Sequence, residues 1–149
     1  QQIDFFRTPY SVAGWMFVTT LLLLATAFRK ERGQLGMMHA IILGFMQGLA
    51  VLPGLSRSGA VIAMALVLGM KKKDAFDYAF LLAIPAIGGS FLLSVNNLTW
   101  NWIYLIGFIV AFGVGYASLI LLRKIIEKDY FHWFFIYTLI LSFLIFTFV

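Results

Sequence analysis

Arg57 stands between two serines and two glycines in the string Pro53-Gly54-Leu55-Ser56-Arg57-Ser58-Gly59, inside an otherwise apolar stretch of chain. A guanidinium carries five N–H donors in a planar fork that matches phosphate or carboxylate oxygens. Ser56 and Ser58 add hydroxyls on either side. Gly54 and Gly59 permit backbone conformations that other residues resist and let a ligand come close. A helix that starts just after the break presents unpaired N–H groups and the positive end of its dipole. Donors of these kinds at this spacing suit an anion, phosphate above all. An arginine near the middle of a bilayer costs at least about 2.5–3.5 kcal/mol on insertion scales, so it needs a partner. The nearest acids on either side in sequence, Glu31 and Asp74, are both expected in loops. Arg57 therefore pairs with an acid from elsewhere or receives an anionic ligand. The plainer reading is a structural kink, with Arg57 extending to the membrane interface.

The elements around this string are those of a membrane protein. The chain of 149 residues is 62% hydrophobic and 11% charged, with a mean hydropathy of +0.97. A soluble domain carries about 25% charged residues. The net charge of +5 is no nucleic-acid signature. Nine of its eleven basic residues group as Arg29, Lys30 and Arg32, then Lys71–Lys73, then Arg123, Lys124 and Lys128, between apolar runs. That is how cytoplasmic loops are marked. Without cysteine there is neither a disulfide framework nor a thiolate metal site. Gln1 in place of methionine predicts a fragment, a cleaved product or a trimmed chain.

The hydropathy pattern predicts an all-α polytopic membrane protein, a single transmembrane domain over 1–149. Spans are expected at about 10–28, 74–95, 102–122 and 131–149. Between the first two, Met37–Leu52 and Ala60–Met70 are each short for a crossing, and the Pro/Gly break separates them. Together they predict a broken re-entrant helical hairpin over 37–70, a device tolerated only inside protein or around a watery cavity and one that points to a binding site. If the hairpin returns to its starting side, all three basic clusters share the cytoplasmic face. Pro85 and Gly88-Gly89 are expected to kink the 74–95 span. The residues around 96–101 read as a turn. Trp15, Trp100, Trp102 and Trp133 lie near span ends, as an aromatic belt does. Gly107, Ala111 and Gly115, and likewise Gly44 and Gly48, recur at a spacing that lets helices approach closely.

The segment from Gly44 to Gly89 resembles the second-half signature of the undecaprenyl-diphosphate phosphatase family, known also for bacitracin resistance. Pro53, Gly54, Ser56, Arg57, Ser58, Gly59 and Ala60 match its motif, and Gln47 matches six residues before the proline. The likeness runs in order and hydropathy from about Phe6 to the end. Val61 stands where the family usually has threonine, so that hydroxyl contact does not carry over. Family members are about twice this length, and their first half bears a glutamate-rich motif. No Glu-x-x-x-Glu occurs here, so the chain reads as the C-terminal half, one half of an inverted repeat.

The resemblance implies removal of the terminal phosphate of a polyprenyl diphosphate, recycling a lipid carrier for cell-wall synthesis at the inner membrane. Arg57 and Ser56 are then the catalytic candidates. Gly54, Ser58, Gly59, Ala60 and Gln47 are the substrate-binding ones, with N–H groups near Ser58–Ala60 as donors. Ser56 is expected to bind and not to attack, because no base stands near it in sequence. No metal ligand is expected in this chain. Mg2+ or Ca2+, implied by the family, would be held by residues outside it. The expected partners are the polyprenyl diphosphate lipid, the membrane, and the missing N-terminal half or a second copy. His39 and His132 read as interfacial residues. The rival readings are a lipid-phosphate translocator that uses the same pocket without hydrolysis, and a structural membrane subunit.

Overall fold

The structure, a computed structural model, describes residues 8–31, 33, 36–94 and 101–148. Every regular element among the described residues is helical. They are α1 (Pro9–Ala25) with a 3-10 extension Thr26–Phe28, α2 (Met37–Leu49), α3 (Arg57–Val67), α4 (Lys72–Ser94), α5 (Trp102–Glu127), and a 3-10 turn Phe131–Trp133 that leads into α6 (Phe134–Phe148). Four helical stretches are long and apolar enough to cross a membrane: Pro9–Phe28, Lys72–Ser94, Trp102–Glu127 and Phe131–Phe148. The protein is a multi-pass, all-α membrane protein. Val95, the residues 96–100 of the expected turn with Trp100, Arg32 and Val149 lie outside the described residues.

Local chemistry sets the helix ends. Thr8 caps α1 by accepting from the Ser11 N–H at 3.3 Å, and Pro9 follows at the first helical position, where its missing N–H costs nothing. α2 stops at Leu49, three residues before the expected Leu52. The residue before a proline disfavours helix, and here Leu52–Leu55 closes a turn with Pro53-Gly54 at its centre. Gly54 holds φ at +96°, as the third residue of a type II turn requires. α3 starts at Arg57 rather than at Ala60 and ends at Val67 rather than at Met70. Its end is a Schellman motif: Gly69 at φ +97°, with Gly69 N–H to the Leu66 carbonyl and Met70 N–H to the Ala65 carbonyl, each at 3.0 Å. The same motif ends α5, with Asp129 instead of glycine in the left-handed position, at φ 63°. α4 is helical straight through Pro85 and Gly88-Gly89.

α3 is the core. Ala60, Val61, Ile62, Ala63, Ala65 and Leu66 are all buried, enclosed by α1, α2 and α4. α6 runs antiparallel along α1. Tyr10 meets Phe146 edge-on, the Ser142 hydroxyl donates to the Ala13 carbonyl at 2.8 Å, and the Thr20 hydroxyl donates to that of Thr138 at 2.8 Å. Interhelical hydroxyl bonds of this kind average about 0.6 kcal/mol in membranes, so the pairing rests mainly on packing. α5 leaves nearly all its apolar side chains exposed, with Ile126 buried near its end.

One ionic junction draws the basic loops together. The Asp129 carboxylate pairs with both Arg29 and Lys72. Lys72 also donates to the Glu127 carbonyl at 3.0 Å, and Arg29 to Glu31 at 3.2 Å. Gly33 N–H donates to the Gly69 carbonyl at 3.3 Å. The end of α1, both ends of the α2–α3 hairpin, the start of α4 and the end of α5 therefore meet at one end of the bundle, as the charge pattern requires.

Candidate functional site at the hairpin break

Ser56 is the N-cap of α3. Its hydroxyl accepts from the Gly59 N–H at 3.2 Å, a bond worth about 0.5–2 kcal/mol to the helix. The Ser56 N–H in turn donates to the Thr19 hydroxyl on α1 at 3.2 Å. The Ala60 N–H donates to the Ser56 carbonyl at 2.7 Å. Of the three amides expected to serve an anion, those of Gly59 and Ala60 are thus engaged within the chain. The N–H groups of Arg57 and Ser58, in the exposed first turn, have no acceptor among the described residues.

The two glycines have roles in packing. A Cβ on Gly54 would lie 2.3 Å from the Val12 carbonyl oxygen, and one on Gly59 would lie 2.6 Å from the Ser56 hydroxyl. Gly54 thus lets the break press onto the backbone of α1, and Gly59 leaves room for the cap. Val12 lies near the start of α1 and Arg29 beyond its other end, so the tip of the hairpin sits away from the basic loops.

A cleft of about 290 Å³ opens beside the break. Gly54, Ser56, Ser58 and Gly59 form its polar wall with Thr19, Tyr137 and Thr138. Met16, Leu23, Ile62, Leu122, Phe134 and Leu141 make the rest apolar. The cleft has the two characters that a phosphorylated lipid has. Arg57, Ala60 and Gln47 do not line it. Ala60 and Val61 are sealed in the core. Arg57 is half-buried, and among the described residues it has neither ion pair nor hydrogen bond. Gln47 is buried in α2 and its side-chain Nε2 has no acceptor. A buried donor without a partner costs about 1–3 kcal/mol, so Gln47 retains unmet capacity for an acceptor.

Sequence reasoning missed Thr19, Tyr137 and Thr138. The available signal was a hydroxyl inside an apolar run, since polar residues in membrane helices turn toward the bundle interior. The histidines stand apart from the break. His39 Nδ1 accepts the Gly36 N–H at 3.0 Å at the start of α2, and His132 lies by the Arg29–Lys72–Asp129 junction. Among the described residues no three His, Asp or Glu side chains gather as a metal site would need. The residues present do not fit Mg2+ or Ca2+.

A family model described as bacitracin resistance protein BacA matches residues 1–144. Undecaprenyl-diphosphatase from Corynebacterium efficiens is 38% identical over 137 residues, covering 80% of this chain and 47% of that protein. The protein of the same name from Methanococcus maripaludis is 31% identical over 148 residues, covering 97% and 59%. That from Desulfosudis oleivorans is 39% identical over 154 residues, covering 95% and 56%. The chain spans about half the length of the curated relatives it matches.

Proposed function

The chain belongs to the bacitracin resistance protein BacA family, and from that premise we propose that it supplies the phosphate-binding half-site of a polyprenyl-diphosphate phosphatase in the inner membrane. The observation that carries the reading is two side chains at and just before the hairpin break that have no partner among the described residues, half-buried Arg57 and buried Gln47, together with a cleft whose wall is lined by hydroxyls and whose body is apolar. The relatives named above are undecaprenyl-diphosphatases, and a polyprenyl diphosphate is the ligand whose two chemistries match the two parts of the cleft.

In the reaction, water adds to the terminal phosphorus and the P–O–P bridge breaks. Inorganic phosphate leaves and the lipid keeps one phosphate. Such a transfer asks chiefly for positioning and for stabilisation of charge on the equatorial oxygens. Arg57 clamps the diphosphate with its fork. The hydroxyls of Ser56 and Ser58 and the free first-turn amides add donors aimed at the same charge. Ser56 binds and does not attack, because no base is hydrogen-bonded to its hydroxyl. Gly54, Gly59 and Ala60 shape the turn that presents these groups, and Gln47 donates from α2. The water-orienting base is assigned to chain outside these residues, in the remaining half or in a second copy. Carboxylates there would also hold Mg2+ or Ca2+, and no step here is derived through the metal. The hairpin α2–α3 re-enters the bilayer without crossing it. Its helices of 13 and 11 residues reach roughly 20 and 17 Å against a hydrocarbon core of about 30 Å.

The test is phosphate release by the purified full-length protein from a polyprenyl diphosphate, with lipid monophosphate as the second product. Transfer of intact lipid between leaflets with no phosphate released would replace the phosphatase with the translocator.

A further inference from the structure

We infer that Thr19 is a positioning residue of this site: it sets where the Ser56–Gly59 turn stands, and through it the hydroxyls and the guanidinium that meet the phosphate. The inference rests on the phosphatase reading for its consequence, but its geometry stands on the contact between α1 and the hairpin break. Thr19 is 1% exposed. Its hydroxyl donates to the Trp15 carbonyl one turn back at 3.2 Å, which leaves its lone pairs as the acceptor for the Ser56 N–H at 3.2 Å. Its methyl carbon lies 3.9 Å from where a Cβ of Gly59 would sit. It also lines the cleft next to Ser56 and Ser58.

Three jobs fall on one side chain. The Ser56 amide precedes α3 and has no place in that helix's ladder, so without Thr19 it is an orphan donor. The hydroxyl must donate and accept at once, which valine does not do. The methyl fills the space under Gly59. Because Ser56 both receives this anchor and caps α3, a shift of its backbone moves the cap, the first turn and Arg57 together. Small misplacements of catalytic groups are costly in rate even where binding survives.

The experiment compares Thr19→Val, Thr19→Ser and Ser142→Ala in the full-length protein. Ser142→Ala removes another buried interhelical hydroxyl, on α6 against Ala13, away from the turn. Hydrogen exchange is read on peptides covering 54–60, and kcat and KM on polyprenyl diphosphate. Thr19→Val is expected to raise exchange in that segment and to lower kcat about 10–100-fold with KM changed less than about threefold. Thr19→Ser keeps both hydrogen bonds and is expected to recover most of kcat, whereas Ser142→Ala leaves exchange at 54–60 and kcat unchanged. Unchanged exchange at 54–60 in Thr19→Val overturns the inference. So does a kcat loss in Thr19→Ser as deep as in Thr19→Val. If the unsubstituted protein releases no phosphate, the phosphatase reading falls, and the exchange result alone decides on Thr19.

Discussion

Arg57 is a cation that its own fold leaves without an anion among the described residues. It sits half-buried at the first position of α3 with no acid to pair with among the described residues. On the proposed reading its acceptor is the diphosphate of the ligand. In the full-length protein Arg57→Ala is expected to lower kcat by about 10²–10³-fold, the scale of a lost transition-state donor. Arg57→Lys restores charge without the bidentate fork and is expected to recover little; a lysine variant at full speed would rule out the clamp. Gly54 answers to a different constraint. With φ at +96° and the Val12 carbonyl where a Cβ would go, Gly54→Ala meets both a left-handed backbone cost of about 1–2 kcal/mol and a clash with main chain. Its Tm in detergent should drop well below that of Gly88→Ala, whose Cβ meets nothing within 4 Å. Equal values for the two would show that the break does not press on α1.

At the scale of elements, the α2–α3 hairpin carries the proposed site and its break rests on α1. The hairpin leaves and rejoins the bundle at one end, through the Gly33–Gly69 hydrogen bond, while its tip rests on the opposite half of α1. Absence of native cysteine makes the topology easy to read. Gly36→Cys and Lys71→Cys, flanking the hairpin, should both react with a membrane-impermeant thiol reagent from the cytoplasmic side. Reaction from opposite sides would mean that the segment crosses once, and the re-entrant arrangement would be lost. Lys71 is preferable to Lys72, which is occupied by Asp129.

At the scale of the molecule, Asp129 closes the ring of loops that fixes which ends of the helices lie together. Hydrogen bonding from Lys72, with Arg29 adding to it, holds its carboxyl below the usual 3.8 despite some opposing burial. A carboxyl lowered on folding contributes stability that is present above 3.8 and is lost as pH falls through the folded value. Asp129→Asn keeps a residue that tolerates the left-handed backbone and removes the charge together with one of the two oxygens that accept from Arg29 and Lys72. The variant should melt somewhat lower than the parent at pH 7, and the gap should close as pH falls through and below 3.8. The effect is modest because the carboxylate is largely exposed. A gap of the same size at pH 3 and pH 7 would show that the pairing does not stabilise the fold.

The sequence by itself determined the class of protein, the number of long apolar segments, and the two short helices that flank the Pro53–Gly59 string. Those features are written in composition, in the position of charges and in Pro and Gly, all of which act locally. Even there the ends moved. α3 begins three residues early because Ser56, and not Ser58, is the cap, and it finishes early because Gly69 turns left-handed. Only the tertiary structure decided who surrounds the break. Thr19, Tyr137 and Thr138 come from α1 and α6, and the contact between Thr19 and Ser56 joins residues 37 apart in the chain. It also gave Gly54 and Gly59 close packing contacts besides their place in the cleft wall, and engaged the Gly59 and Ala60 amides within the chain. Such facts depend on how helices dock, which a hydropathy pattern does not encode: along α1 nearly every residue is apolar, so periodicity does not single out the face that meets the hairpin.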